Sequence, residues 1–288
     1  MDAGSAGTVD EASSPLAAAL LGSARPLAEA AFSPMLDNAF WLSRYGARGR
    51  KHSVEDGEFH IRYLAEALTS RDGGLLTRYA EWLRDVLVSR GMCTMHLVEH
   101  FEQLRRALRA RFADDAELRF ADDALTSAAW ALVANSGDGE SLQRAAWEAL
   151  LERLTPTAPL PASGHATDAG DMGDANDAGD TGDANDAPDA RAGLAGPERL
   201  PYLLSYLADA LTRGAPTTWV EYVVWARTHF EKAPRRLDEA LDALVSRLAS
   251  VRPLPTEAMA FVEAARATPP ARRPDSGDGR ETPGDAER

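Results

Sequence analysis

The chain has one cysteine, Cys93, among 288 residues, so it forms no internal disulfide and nothing in it asks for an oxidising compartment. Long apolar runs are missing too, since none approaches the roughly eighteen residues that a membrane span needs. The apolar patch nearest the N-terminus, residues 15–21, is preceded by Asp2, Asp10 and Glu11, where a secretory leader carries basic residues. Together these absences predict a cytoplasmic protein with no membrane partner. Also missing are the common catalytic signatures: a Gly-Lys-Ser/Thr phosphate loop, a dinucleotide glycine fingerprint, a nucleophile elbow, a zincin histidine pair and a CxxC. The expectation therefore leans away from an enzyme, and no cofactor is predicted.

Basic residues are outnumbered. Against 45 Asp and Glu stand 31 Lys and Arg, giving a formal charge of -14, and the pI is near 4.9. A surface of that sign repels a polyanion, which excludes nucleic acid as the expected partner. Much of the excess is local, because eight aspartates recur at every third position from Asp168 to Asp189. These do not make a calcium loop: Asp174 and Asn176 are followed by Ala178 where an oxygen ligand is required, and no bidentate Glu closes the turn.

Aromatic residues are scarce at 7%, whereas Ala, Leu, Arg and Glu are abundant, a composition that favours helix. Apolar residues recur at helical pitch through most of the chain, so the expected fold class is all-α, a helical bundle. Residues 1–13 lack any apolar period and are expected to be disordered. A first helical unit should span 14–155. Within it, Ser33 and Pro34 read as the start of a helix over 34–45 that ends at Gly46. Ser53-Val54-Glu55-Asp56 reads as the capped start of the next helix, which stops before Asp72-Gly73-Gly74. Stripes at 75–87, 97–108, 121–133 and 142–154 follow. Residues 156–196, rich in Asp, Gly and Ala, read as a disordered acidic linker, 197–267 as a second helical unit, and 268–288 as a disordered tail.

The halves resemble each other. Shifting the second onto the first by 143 residues superposes Tyr63-Leu64-Ala65 on Tyr206-Leu207-Ala208, Tyr79 on Tyr222 and Trp82 on Trp225. Eight of the twenty positions from 63 to 82 are identical, against roughly one or two expected by chance. After a three-residue deletion Leu97, Leu104 and Leu108 fall on Leu237, Leu244 and Leu248. This predicts a duplicated three-helix element, 53–112 and its copy, with the helix pair at 121–154 completing the first unit. Whether the chain is a monomeric pseudo-dimer or a homo-oligomer stays open.

Three groups of residues are candidate sites. Tyr63, Tyr79 and Trp82, with Tyr206, Tyr222 and Trp225, would line a paired aromatic pocket for a flat ligand, or else serve as core anchors with hydrogen-bonded tips. His60, His96 and His100 would meet a metal or the iron of a tetrapyrrole, the alternative being ordinary surface or capping histidines. Arg44, Arg48, Arg50 and Lys51 form a basic cluster able to hold an anion, or to pair with Glu55, Asp56 and Glu58. Cys93 precedes His96 by three residues, but no third group orients that histidine, so a buried, unreactive thiol is expected. Duplicated helices, a tether and missing catalytic chemistry point first to a non-catalytic adaptor or regulator with a protein partner. The alternative is a sensory bundle that binds a small molecule, tetrapyrrole or metal.

Overall fold

The computed structural model describes residues 14–36, 39–154, 199–229 and 234–267, and among these every regular element is helical. The segments expected to be disordered, 1–13, 156–196 and 268–288, lie outside the described residues. No helix among the described residues is long and apolar enough to cross a membrane.

The chain opens with α1, Pro15–Gly22, capped by Ser14, whose hydroxyl accepts the Ala17 amide at 3.0 Å. Next come α2, Ala24–Leu36, and α3, Ala39–Ser70. Asp72 caps α4, Gly73–Ser89, by accepting the Gly74 amide at 2.9 Å. Then follow α5, Thr94–Arg111, and α6, Leu118–Ala134, and a short 3-10 turn at Gly137–Gly139 leads into α7, Glu140–Leu154. The second half holds α8, Leu200–Thr212, α9, Pro216–His229, α10, Pro234–Leu248, and α11, Ala258–Ala267.

Two helix boundaries differ from the sequence reading. Pro34 does not start a helix; it lies in the last turn of α2, where the neighbouring Met35 and Leu36 are drawn into the core. Its ring has no N–H to give the Ala30 carbonyl, and the helix ends two residues later at Leu36. Nor does a helix begin at Ser53, since α3 runs straight through it with Ser53 and Val54 buried. The interruption sits at Gly46, whose φ of 64° belongs to the left-handed region that glycine adopts without strain. Tertiary burial of the Ser53 face has overridden a local capping signal.

The helices pack around one continuous apolar core that extends from Leu16 to Ala265. Helices α1 and α2 lie against α3, α4 crosses α6, and α5 is enclosed by α2, α6 and α8. Gly57 marks a close approach, because a Cβ there would overlap the Phe32 ring of α2. Helix α8 is central: every residue from Pro201 to Leu211 is buried, the pattern of a helix covered on all sides.

A polar knot joins α8 to the start of α5. Asp209 accepts the Thr94 amide at 2.8 Å, the Thr94 hydroxyl at 2.7 Å and the Gln143 side-chain amide at 2.8 Å. Ser205 accepts the Met95 amide at 3.0 Å. The open amides of the α5 N-terminus are thus satisfied by side chains 110 or more residues away. Burial pushes the Asp209 carboxyl up to about 6, although the Thr94 donors pull the other way.

Candidate functional site

The Gly46 break and the uninterrupted run of α3 beyond it place one polar stripe along α3. Tyr45, Gly49, Ser53, Asp56 and His60 recur at three- to four-residue spacing and line one wall of a cavity of about 610 Å³. Arg48 and His52 join them at the rim. The end of α4 and the turn after it contribute Leu87, Arg90 and Met92, and α5 contributes His96, Leu97 and His100.

Three imidazoles form the inner surface. His60 Nδ1 lies 2.9 Å from the Tyr79 hydroxyl, and its Nε2 lies 3.2 Å from His100 Nδ1. His100 stacks on Phe32, ring centres 4.3 Å apart. Burial drives all three imidazoles toward the neutral form, His60 and His96 well below the usual histidine range and His100 down to about 3. Each neutral ring carries one proton, so the relay has two arrangements. Either Tyr79 donates to His60, which donates to His100, leaving the His100 proton on Nε2, or the protons run in reverse and His100 Nε2 is bare. His100 thereby presents either a donor or an acceptor.

His96 is fixed differently. Its Nδ1 accepts the Cys93 amide at 3.2 Å, which puts the proton of the neutral ring on Nε2. The ring stacks on Tyr202 at 4.8 Å and meets the edges of Tyr45 and Tyr206 at 5.8 and 5.9 Å. Cys93 Sγ stands 3.4 Å from the same nitrogen, but burial pushes its thiol upward and keeps it protonated. Among the described residues no group of three His, Cys, Asp or Glu side chains is placed to hold a metal ion. His60 and His100 engage each other through ring nitrogens that a shared metal would need.

The rim is charged. Arg48 Nε donates to His52 Nε2 at 3.3 Å, so the His52 proton sits on Nδ1, 3.0 Å from Glu55. Burial lifts the Asp56 carboxyl above its ordinary value, opposed by His52 and Arg90. Lys51 pairs with Glu55 at 3.7 Å. The four basic residues do not converge. Arg48, Arg50 and Lys51 are exposed, whereas Arg44 turns inward, donating to the Gly91 carbonyl at 3.4 Å with its guanidinium 4.7 Å from the centre of the Trp225 ring.

The aromatic residues form two ladders instead of lining this cavity. Tyr63 stacks on Tyr79 at 3.9 Å and 17°, and Trp82 follows Tyr79 at 6.3 Å. Tyr206 stacks on Tyr222 at 4.0 Å and 17°, and Trp225 follows Tyr222 at 5.9 Å. Tyr206 donates to the Gly91 carbonyl at 2.9 Å, so the Tyr45 hydroxyl, 3.1 Å away, is the donor to Tyr206.

The chain matches no protein-family model, no curated protein and no solved structure.

The sequence singles out His60, His96, His100 and Arg48, with Asp56 only as an ion-pair partner of the basic cluster, and does not single out Tyr45, His52 and Arg90, which line the same cavity. The signal was the stripe at 45, 49, 53, 56 and 60, hidden because Ser53 was read as a helix start. Asp209 also had a signal, a lone acid inside the apolar run 200–211.

Proposed function

We propose that this protein is a ligand-binding helical bundle of sensory or regulatory type, which takes a small planar anion into the cavity between α3, α4 and α5. The observation that carries the reading is the division of that cavity. Its inner wall is neutral imidazole with Leu87, Met92 and Leu97, and its rim holds Arg48 and Arg90 beside Asp56, whose carboxyl burial raises. Its volume of about 610 Å³ falls within the usual range for small-molecule sites. A flat ring fits against the imidazoles, and a carboxylate or phosphate faces the arginines.

A second reading, docking of a protein partner, is favoured by a separate observation: Phe59, Tyr63 and Trp82 stand exposed together on α3 and α4. Under both readings the two ladders, matched at a shift of 143 residues, are copies of one ancestral three-helix element.

Thermal melting with aromatic carboxylates and nucleoside monophosphates tests the first reading. A ligand present at a hundred times its Kd adds about 2.7 kcal/mol, which raises the Tm of a protein this size by ~5–10 °C. The double variant Arg48→Gln/Arg90→Gln should melt like the parent protein without ligand and lose the response. A panel that moves neither protein, or an equal response in both, contradicts the proposal.

A further inference from the structure

The two aromatic ladders have nearly the same ring geometry but different surroundings. Tyr206 is fully buried, and its ladder is covered by the chain itself. Arg44 lays its guanidinium over Trp225, 4.7 Å from the ring centre, and lies 5.8 Å from the centre of Tyr222, while Tyr45 donates to the Tyr206 hydroxyl. Among the described residues the ladder of the first half has no such cover: Trp82 is 60% exposed and Tyr63 39%. Phe59, 50% exposed, widens the same face, and Arg62 leans over Phe59 instead of over the ladder.

Resting on the docking reading above, we propose that the Tyr63–Tyr79–Trp82 ladder docks a helix of a partner protein that presents an arginine followed by a tyrosine, as Arg44–Tyr45 covers the matching ladder within the chain. A guanidinium over an indole face is attracted by the ring quadrupole, and the attraction grows as water is removed. The flanking charge agrees. Glu66, an exposed carboxylate one turn beyond Tyr63, adds an acidic neighbour for the incoming arginine. Asp56, whose charge is felt at the Tyr79 hydroxyl, stands where the 143-residue shift places Arg199 beside the covered ladder. The open ladder is thus more favourable to a cation than the one that already holds Arg44.

The test uses full-length protein labelled with nitrogen-15 and a peptide of residues 42–52 of this chain, with a second peptide carrying Arg44→Gln, at near-physiological salt. The expected result is a saturable shift of the Trp82 indole resonance, no shift at Trp225, affinity weaker by about tenfold for the Gln peptide, and loss of binding in the Trp82→Ala protein. Equal shifts of Trp82 by both peptides would overturn the arginine inference while leaving the docking reading standing. No shift at Trp82 with either peptide, or a shift at Trp225 alone, overturns both.

Discussion

Acidification from pH 7 to pH 5 should destabilise this fold by up to ~5 kcal/mol, three buried histidines outweighing one buried carboxyl. His60, His96 and His100 are enclosed and held neutral, His100 down to about 3. In the unfolded chain each imidazole titrates near 6.5, so below that pH the unfolded state binds protons that the folded state does not. Stability from a depressed histidine is therefore complete above 6.5 and lost as pH falls. At about 1.4 kcal/mol per pH unit, each histidine can cost at most ~2 kcal/mol at pH 5 and the three together at most ~6. Asp209 acts in the opposite sense. Its carboxyl is raised from 3.8 to about 6, so its contribution is complete below 3.8 and lost as pH rises through 6; going down from pH 6 to pH 5 it restores about 1.4 kcal/mol. The balance, at most ~5 kcal/mol, corresponds to a fall in Tm of up to ~10–20 °C for a domain of this size. Urea unfolding at pH 7, 6 and 5, followed by circular dichroism, measures the change directly. His100→Gln should remove about one third of the histidine slope. A stability that is flat or rises on acidification would show that the imidazoles are not buried in their neutral forms.

Other substitutions test other contacts. Asp209→Ala strands the Thr94 amide, the Thr94 hydroxyl and the Gln143 amide in the interior and should cost ~3–5 kcal/mol in urea unfolding, whereas Asp209→Asn keeps an acceptor and should cost less than half as much. Tyr202→Phe removes the hydroxyl that donates to the buried Glu99 carboxylate, leaving Arg153 as its ion-pair partner, and should lower stability by ~1.5–3 kcal/mol. Gly57→Ala drives a methyl into the Phe32 ring and should cost ~1–3 kcal/mol, with a changed near-ultraviolet spectrum as Phe32 and the stacked His100 shift. Trp82→Ala, at an exposed site, should change the melting temperature of the isolated protein little, by under ~1 kcal/mol in stability.

The helices were legible in the sequence because their cause is local. Leu76, Tyr79, Ala80, Leu83 and Leu87 recur at helical pitch, and that face of α4 is the one it buries. Boundaries were less legible where tertiary burial competes with a cap. Ser53 and Glu55 carry the letters of a helix start, yet Ser53 and Val54 are buried mid-helix, and the stripe at 45, 49, 53, 56 and 60 that continues through them is weaker than the cap that interrupts it. The cavity was half legible. His60, His96 and His100 stand out by residue type and the break at Gly46 is readable, but their meeting depends on tertiary packing that brings α3 to α5, which no spacing rule supplies. Arg44 shows the same limit from the other side: grouped by sequence with Arg48, Arg50 and Lys51, it turns away to cover an aromatic ladder some 180 residues further along.

The central claim is that the cavity lined by His60, His96 and His100 and rimmed by Arg48 and Arg90 is a binding site. Native mass spectrometry of the protein purified from its own source tests it most directly. The account predicts a one-to-one adduct of small-molecule mass that is retained in Trp82→Ala and lost in Arg48→Gln/Arg90→Gln. A spectrum of bare polypeptide, or an adduct indifferent to the two arginines, would contradict it.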